Sequence, residues 1–261
     1  MNILLAFKAE PDLGMLSEAD WQTAAQGNSG PTPELMRVTM GNDEQGAAEL
    51  MLQAKEHNPL LSLSAIAIGD ERAIPLLRHL AALGFTHRSL VTGAPDVRFA
   101  PALVAHQIAK RVNDEAISLV LLGSQSSEGQ NGQTGWLLAE MLGWPCLGGV
   151  TGLEADPQTG GFTAQCDTLS QRCQWRLSGS AVLIVQNRGQ MALRVPGMRA
   201  RLAAANATVD RVAFCDCRAP ALSCTALTRP ASQRAGEIIA ADSARESAQR
   251  LWETYLSRRM R

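Results

Sequence analysis

Between residues 117 and 142 the chain reads ISLVLLGSQSSEGQNGQTGWLLAEML. Ile117–Leu122 is an apolar run of strand length, broken only by Ser118 and stopped by Gly123. A strand buried on both faces needs such a run, whereas a half-exposed strand alternates. A polar, glycine-rich loop follows, and a helix is predicted from about Gly132 to Leu142. Strand, loop and helix in this order form one unit of an α/β sheet.

Similar units precede it. Asn2–Phe7 (NILLAF) is an apolar strand, and residues 8–33 read as a long loop around a short amphipathic piece near Ser17–Ala25. Leu35–Thr39 is a candidate short strand. Asn42 stands as an N-cap, with Asp43 and Glu44 in the first turn of a helix that runs to about His57. Leu61–Ile68 is a second strand, Arg72–Leu83 a helix stopped at Gly84, Ser89–Thr92 a third strand and Pro101–Arg111 a helix. This alternation predicts a doubly wound, mostly parallel sheet with helices on both faces; if its order is 3-2-1-4-5, the crevice lies between the first and fourth strands.

The pattern changes after Pro145. Residues 150–186 read as short strands with turns at Asp156–Gly161 and Leu169–Arg172, closing with Ala181–Gln186. From Asn187 the chain is Arg-rich and irregular up to a last helix near Ala240–Leu256. The expected organisation is an α/β nucleotide-binding domain over residues 1–186 and a C-terminal extension over 187–261.

Composition narrows the function classes. The 261 residues are 46% hydrophobic and 19% charged, with a net charge of -1, which excludes a disordered or low-complexity chain. A near-neutral balance also argues against binding nucleic acid through its phosphates. Residues 1–170 hold 9 Lys+Arg against 19 Asp+Glu, while residues 171–261 hold 15 against 6. This asymmetry has two readings: a basic tail that meets an acidic surface, either the chain's own body or a partner's, or two halves that simply neutralise each other. No stretch approaches the roughly 20 apolar residues that cross a bilayer. The expectation is a cytoplasmic chain without membrane insertion, with its six cysteines mostly reduced.

In an open α/β sheet, ligands bind beyond the carboxyl ends of the strands, where strand order reverses. The residues leaving the first and fourth strands are Ala6-Phe7-Lys8 and Gly123-Ser124-Gln125, and Gly69 leaves the second. In the loop, Gly129, Gly132 and Gly135 let backbone approach a ligand, and Ser126, Ser127, Gln133 and Thr134 offer polar groups. The first turn of the following helix supplies free N–H groups for a phosphate. An ordinary polar loop with a capped helix has the same appearance.

Other fingerprints are missing. There is no G-x-x-x-x-G-K-[ST], no G-x-G-x-x-G after the first strand, and no Gly-x-Ser-x-Gly elbow. His57, His79, His87 and His106 fall on predicted helices or their ends without metal-binding spacing. Cys215, Cys217 and Cys224 lack a fourth ligand, so no metal site is assigned. The chain reads as a binder without a catalytic constellation of its own.

The stretch Leu119–Pro145 resembles the nucleotide loop of the electron transfer flavoprotein beta subunit family. The family order of Leu-Leu-Gly, Gln-Thr-Gly and Leu-x-Trp-Pro occurs here as Leu121-Leu122-Gly123, Gln133-Thr134-Gly135 and Leu142-Gly143-Trp144-Pro145. Ala6-Phe7-Lys8, Met40–Glu56 and the unit holding Gly69, Arg78 and Leu83-Gly84 resemble further family segments. Val195-Pro196-Gly197-Met198-Arg199 resembles the arm that meets partner dehydrogenases. The resemblance covers roughly residues 1–200. Departures include Glu128 as the loop's single acid and Gly41-Asn42-Asp43 without the family's proline.

The resemblance implies a Rossmann-like fold of the adenine nucleotide alpha hydrolase type. It also implies a non-catalytic subunit paired with an alpha-type subunit that holds the electron-carrying FAD. This chain's own site would take AMP, or a second FAD. Carried over, the site residues are Ala6, Gly41, Asn42, Asp43, Glu44 and Ile68, then Gly123, Ser124, Gln125, Ser126, Ser127, Glu128, Gly129, Gln130, Asn131, Gly132, Gln133 and Thr134. Lys8 joins them by position, and Val195 takes the place of the arm's apolar anchor. Electrons would pass from an acyl-CoA-type or other flavin dehydrogenase to a quinone reductase or similar acceptor, with the flavin doing the chemistry.

Two other readings were weighed. A stand-alone adenine-nucleotide-binding regulator of universal-stress-protein type needs Gly-x-x-Gly-x(9)-Gly-[Ser/Thr] after the fourth strand, which is missing. An adenylating enzyme that releases pyrophosphate needs Ser-Gly-Gly-x-Asp-Ser after the first strand, where Ala6-Phe7-Lys8-Ala9-Glu10 stands.

Overall fold

The computed structural model describes residues 1–27, 36–127, 129–158, 160–168, 171–188, 191–217 and 236–257. In chain order these form β1 (Asn2–Phe7), β2 (Ala9–Pro11), α1 (Glu18–Gly27), β3 (Val38–Met40), α2 (Asn42–His57), β4 (Ser62–Ile68), α3 (Ile74–Ala82) and β5 (His87–Thr92). There follow α4 (Pro101–Asp114), β6 (Ile117–Gly123), α5 (Thr134–Leu142), β7 (Cys146–Ala155), β8 (Phe162–Asp167), β9 (Arg172–Leu177) and β10 (Ala181–Val185). Last come α6 (Met198–Ala204), β11 (Asp210–Ala213) and α7 (Ala244–Leu251). They fall into two compact units, within Met1–Ala226 and within Leu227–Arg261. The second unit's described helix, α7, is capped by Ser243, which accepts from the Glu246 N–H.

A nine-stranded sheet organises the first unit in the order β11-β5-β4-β1-β6-β10-β7-β8-β9. Its centre is the expected 3-2-1-4-5 arrangement, and every pair from β11 to β7 is parallel. The β7–β8 and β8–β9 pairs are antiparallel. Alternate residues of β1 explain its unbroken apolar run. Ile3, Leu5 and Phe7 join the core under α2 and α3, while Leu4 and Ala6 join the core under α4 and α5. The sheet is thus covered on both faces.

Several local expectations change. The loop of residues 8–33 contains β2, which pairs antiparallel with β3, Ala9 facing Met40. Asn42 is not the N-cap of α2. Gly41 holds that place, and the Asn42 side chain instead donates to the Asn187 carbonyl at 2.9 Å. The start of the third helix is a separate turn, Glu71–Ala73, capped by Asp70. His87 begins a strand rather than a helix end, and the stretch after Asn187 holds α6 and β11. Cys224 and Glu128 lie outside the described residues.

Candidate functional site

The carboxyl ends of β1, β4, β5 and β6 open into one cleft of about 970 Å³, the size of a cofactor site. Parallel strands point all their carboxyl ends the same way, so sheet topology alone collects these loops. Of the residues singled out from sequence, Ala6, Lys8, Glu44, Ile68, Gly123, Ser124, Gln125, Ser126, Asn131, Gly132, Gln133 and Thr134 line the cleft. Gly41, Asn42, Asp43, Ser127, Gly129 and Gln130 do not line it.

Those residues hold the lining in place. Asp43 accepts from the Ser124 N–H at 3.2 Å, from the Ser124 hydroxyl, and from the Asn187 N–H at 2.8 Å. One carboxylate thereby ties the start of α2 to the loop leaving β6 and the chain leaving β10. Ser127 donates its N–H to both Glu10 oxygens at 3.1 Å, and its hydroxyl bonds the same carboxylate. Glu10 is itself buried. Asn131 donates to the Arg98 carbonyl at 2.7 Å, and Gln125 to the Gln130 carbonyl at 3.1 Å. Gly129, at φ +82°, lies so close to the Arg98 carbonyl that a Cβ would approach its oxygen to 2.6 Å.

Two features suit an anionic ligand. No side chain caps α5 at Gln133, so its first-turn N–H groups keep their positive end toward the cleft. Lys8 adds a cation to the lining.

Glu44 is the anomaly of the site. It is 5% exposed, it lines the cleft, and its Oε2 has no hydrogen-bond partner. Burial pushes its carboxyl up to about 7. Glu10 and Asp43 add to the rise, and its own backbone N–H and Lys8 oppose it. A buried oxygen without a partner is satisfied only by a ligand, a water or its own protonation.

Sequence reasoning missed part of the wall. Asp70, Glu71 and Arg72 after β4, and Thr92 to Arg98 after β5, complete the cleft. The signal was available, because the strand-end rule applies to every parallel strand, and both segments carry Asp-x-Arg, at 70–72 and 96–98. In both, the Asp accepts from the Arg backbone N–H and clasps its guanidinium at 2.7 Å. Each arginine at this rim is therefore carried as an ion pair.

The arm lies apart from the cleft. Arg194 is fastened to Glu49 of α2 at 2.6 Å and also pairs with Glu56. Directly after it, Val195 and Met198 are 73% and 70% exposed, Gly197 and Arg199 are exposed, and Pro196 is buried. Among the described residues no group of three metal-ligating side chains occurs, and no helix is long and apolar enough to cross a membrane.

Comparison with known proteins places this architecture. The family described as electron transfer flavoprotein domain matches residues 34–216. A protein of Escherichia coli strain K12, named as a candidate electron transfer flavoprotein subunit, is 47% identical, with 100% of this chain and 99% of that protein aligned. The electron transfer flavoprotein subunit beta of Bradyrhizobium diazoefficiens is 27% identical over 57% of this chain and 58% of its own length. The human subunit beta is 30% identical over 38% of this chain and 40% of its own.

Proposed function

This chain belongs to the electron transfer flavoprotein family, on its beta-subunit side, and from that premise we propose that it is the beta-type subunit of a cytoplasmic heterodimer. Its alpha-type partner holds the electron-carrying FAD, and this chain's cleft holds an adenine nucleotide, either AMP or a second FAD. The heterodimer takes electrons from a flavin dehydrogenase, of acyl-CoA or other type, and gives them to a quinone reductase or similar acceptor. Family membership displaces the reading as a stand-alone regulator.

One observation carries the nucleotide part. The glycine-rich loop from Gly123 to Gly135 enters the cleft at the point where strand order reverses between β1 and β6. The residues present fit the ligand. An uncapped helix end and Lys8 suit phosphate, and Glu44, whose buried Oε2 lacks a partner, suits a polar group of base or sugar. Apolar walls from Ile68, Val104, Ile108 and Leu122 suit a planar ring. Residues Gly123 to Ser126 and Asn131 to Thr134, with Ala6, Lys8, Glu44 and Ile68, would hold it, and Gly41, Asn42, Asp43, Ser127, Gly129 and Gln130 would brace that wall. When bound, a flavin supplies the one- and two-electron chemistry. The protein binds, orients and shields.

Docking falls to Val195, Pro196, Gly197, Met198 and Arg199, of which Val195 and Met198 stand out from the surface. The basic extension, residues 187–261, wraps the alpha-type subunit. Charges of this kind act more on association rate and salt dependence than on affinity.

The deciding experiment is gentle affinity purification from the native host, with mass spectrometry of co-purifying proteins and heat-released small molecules. A partner flavoprotein with FAD is the expected result, and the ratio of FAD to AMP identifies the occupant of this chain's cleft. A lone homo-oligomer that releases no nucleotide overturns the proposal.

A further inference from the structure

The β8–β9 hairpin sets Cys166 directly opposite Cys173. At the turn end of this ladder the Thr168 N–H donates to the Gln171 carbonyl at 2.8 Å. Bonded pairs recur at every second position of an antiparallel ladder, so Cys166 and Cys173 form another such pair, with α-carbons about 5.5 Å apart. That separation falls within the roughly 4.4–6.8 Å that a disulfide spans. Residues directly opposite also place their side chains on one face of the sheet. The register is fixed beside them, because Asp167 and Arg172 form the next pair and an ion pair at 3.0 Å.

Both cysteines are free thiols. They differ in access. Cys166 is buried on the core side at 5% exposure, whereas Cys173 is partly exposed on β9, the edge strand of the sheet. Burial pushes the Cys166 thiol up, and charge on the nearby Cys173 pushes it further.

We propose that Cys166 and Cys173 are a dithiol modification site that closes to a reversible cross-strand disulfide under a peroxide, making this hairpin a redox-sensitive staple. The accessible Cys173 reacts first. Its thiolate attacks one peroxide oxygen, the O–O bond breaks, and hydroxide leaves with a proton as water, giving the sulfenic acid. The Cys166 sulfur then attacks the Cys173 sulfur, the S–O bond breaks, and a second water leaves. Two thiols lose two hydrogens and two electrons, and one hydrogen peroxide becomes two waters. A bridge across a hydrogen-bonded pair must close between side chains that rise nearly parallel, so it carries strain. Strained bridges are readily reduced, which makes the step reversible.

The test uses the full chain with whatever subunit co-purifies. It is exposed to hydrogen peroxide, alkylated with iodoacetamide and digested with trypsin. Cleavage after Arg172 and Arg176 frees Cys173 in the peptide of residues 173–176. The expected product is that peptide joined to residues 112–172, which carry both Cys146 and Cys166, and lacking two hydrogens, so the Cys146→Ser chain identifies the bridged cysteine. Dithiothreitol should reverse it, and Cys146→Ser should leave it unchanged. Cys166→Ser and Cys173→Ser should each abolish it, with Cys173→Ser accumulating no bridge to another cysteine. Wild-type chain whose two thiols stay alkylated overturns the proposal. So does Cys173 going on to sulfinic acid while Cys166 remains alkylated, or a bridge made instead to Cys146, Cys215, Cys217 or Cys224.

Discussion

The carboxyl of Glu44 occupies the space a side chain at Gly123 would need. A Cβ on Gly123 would lie 2.5 Å from Glu44 Cδ and 2.7 Å from Oε1. The glycine that ends β6 is thus required by a residue on α2, not by its own backbone angles. Gly123→Ala should cost about 1–3 kcal/mol in urea unfolding, the usual penalty of overpacking. It should also weaken adenine-nucleotide binding, because it pushes Glu44 into the cleft. Combining it with Glu44→Ala should restore part of the loss, with a coupling of roughly 0.5–3 kcal/mol. Strict additivity of the two variants would refute the contact.

Glu44 also predicts how stability varies with pH. Its carboxyl is raised from 4.5 to about 7 in the folded chain, burial being the main cause. The native state therefore binds the extra proton. Below pH 4.5 both states are protonated and the group contributes nothing. As pH rises toward 7 the unfolded chain ionises first, so folding stability falls, by roughly 3 kcal/mol at the limit. Glu44→Gln should flatten the stability profile between pH 4.5 and 7 relative to wild type, as read by urea midpoints. An unchanged slope would mean that Glu44 is ionised throughout.

Asp43 should behave as a brace. It accepts bonds from Ser124 and Asn187 and does not line the cleft. Asp43→Ala removes the acceptor of the buried Asn187 N–H, at about 1–3 kcal/mol, while the Ser124 N–H keeps its bond to the Val185 carbonyl at 2.9 Å. The expected result is a lower unfolding midpoint and faster proteolysis near Ser124, with nucleotide affinity falling. Asp43→Asn should retain about half of the effect, since an amide oxygen still accepts. Weakened nucleotide binding at unchanged stability would instead make Asp43 a ligand contact.

The parallel core was legible because β1, β4 and β6 are buried on both faces and so spell mostly apolar runs, interrupted by Ser62, Ser64 and Ser118. What escaped is short or non-local. β2 and β3 have three residues each, too few for any periodicity, and find each other only across α1. α6 spans two turns, and β11 is an exposed edge strand of Asp210–Ala213. Asn42 looked like a cap because its residue type suits one, but Asn187, far along the chain, claims its side chain. In the site, the glycine-rich loop was visible as composition. The isolation of Glu44 was not, because it depends on residues of β1, β6 and α2 meeting.

The Arg194–Glu49 ion pair should govern docking without touching the cleft. Arg194 donates its backbone N–H and its guanidinium to Glu49, immediately before the exposed Val195. Burial alone would raise the Glu49 carboxyl, but the bonds and charge of Arg194 outweigh it and hold it below the usual range. A depressed carboxyl contributes stability above its unfolded pKa of 4.5 and loses it as pH falls through the lower folded value. Arm anchoring should therefore be intact at neutral pH and fail in acid. Arg194→Ala should free the arm, lowering affinity for the partner dehydrogenase about tenfold, a loss of roughly 1.4 kcal/mol. Nucleotide content should not change, and Arg194→Lys should recover only part of the affinity, because one ammonium cannot reproduce the forked contact with Glu49 and Glu56. Surface plasmon resonance against the co-purified dehydrogenase, with nucleotide measured in the same preparation, separates the two sites. Parallel loss of nucleotide and partner binding would show that the arm and the cleft are one unit.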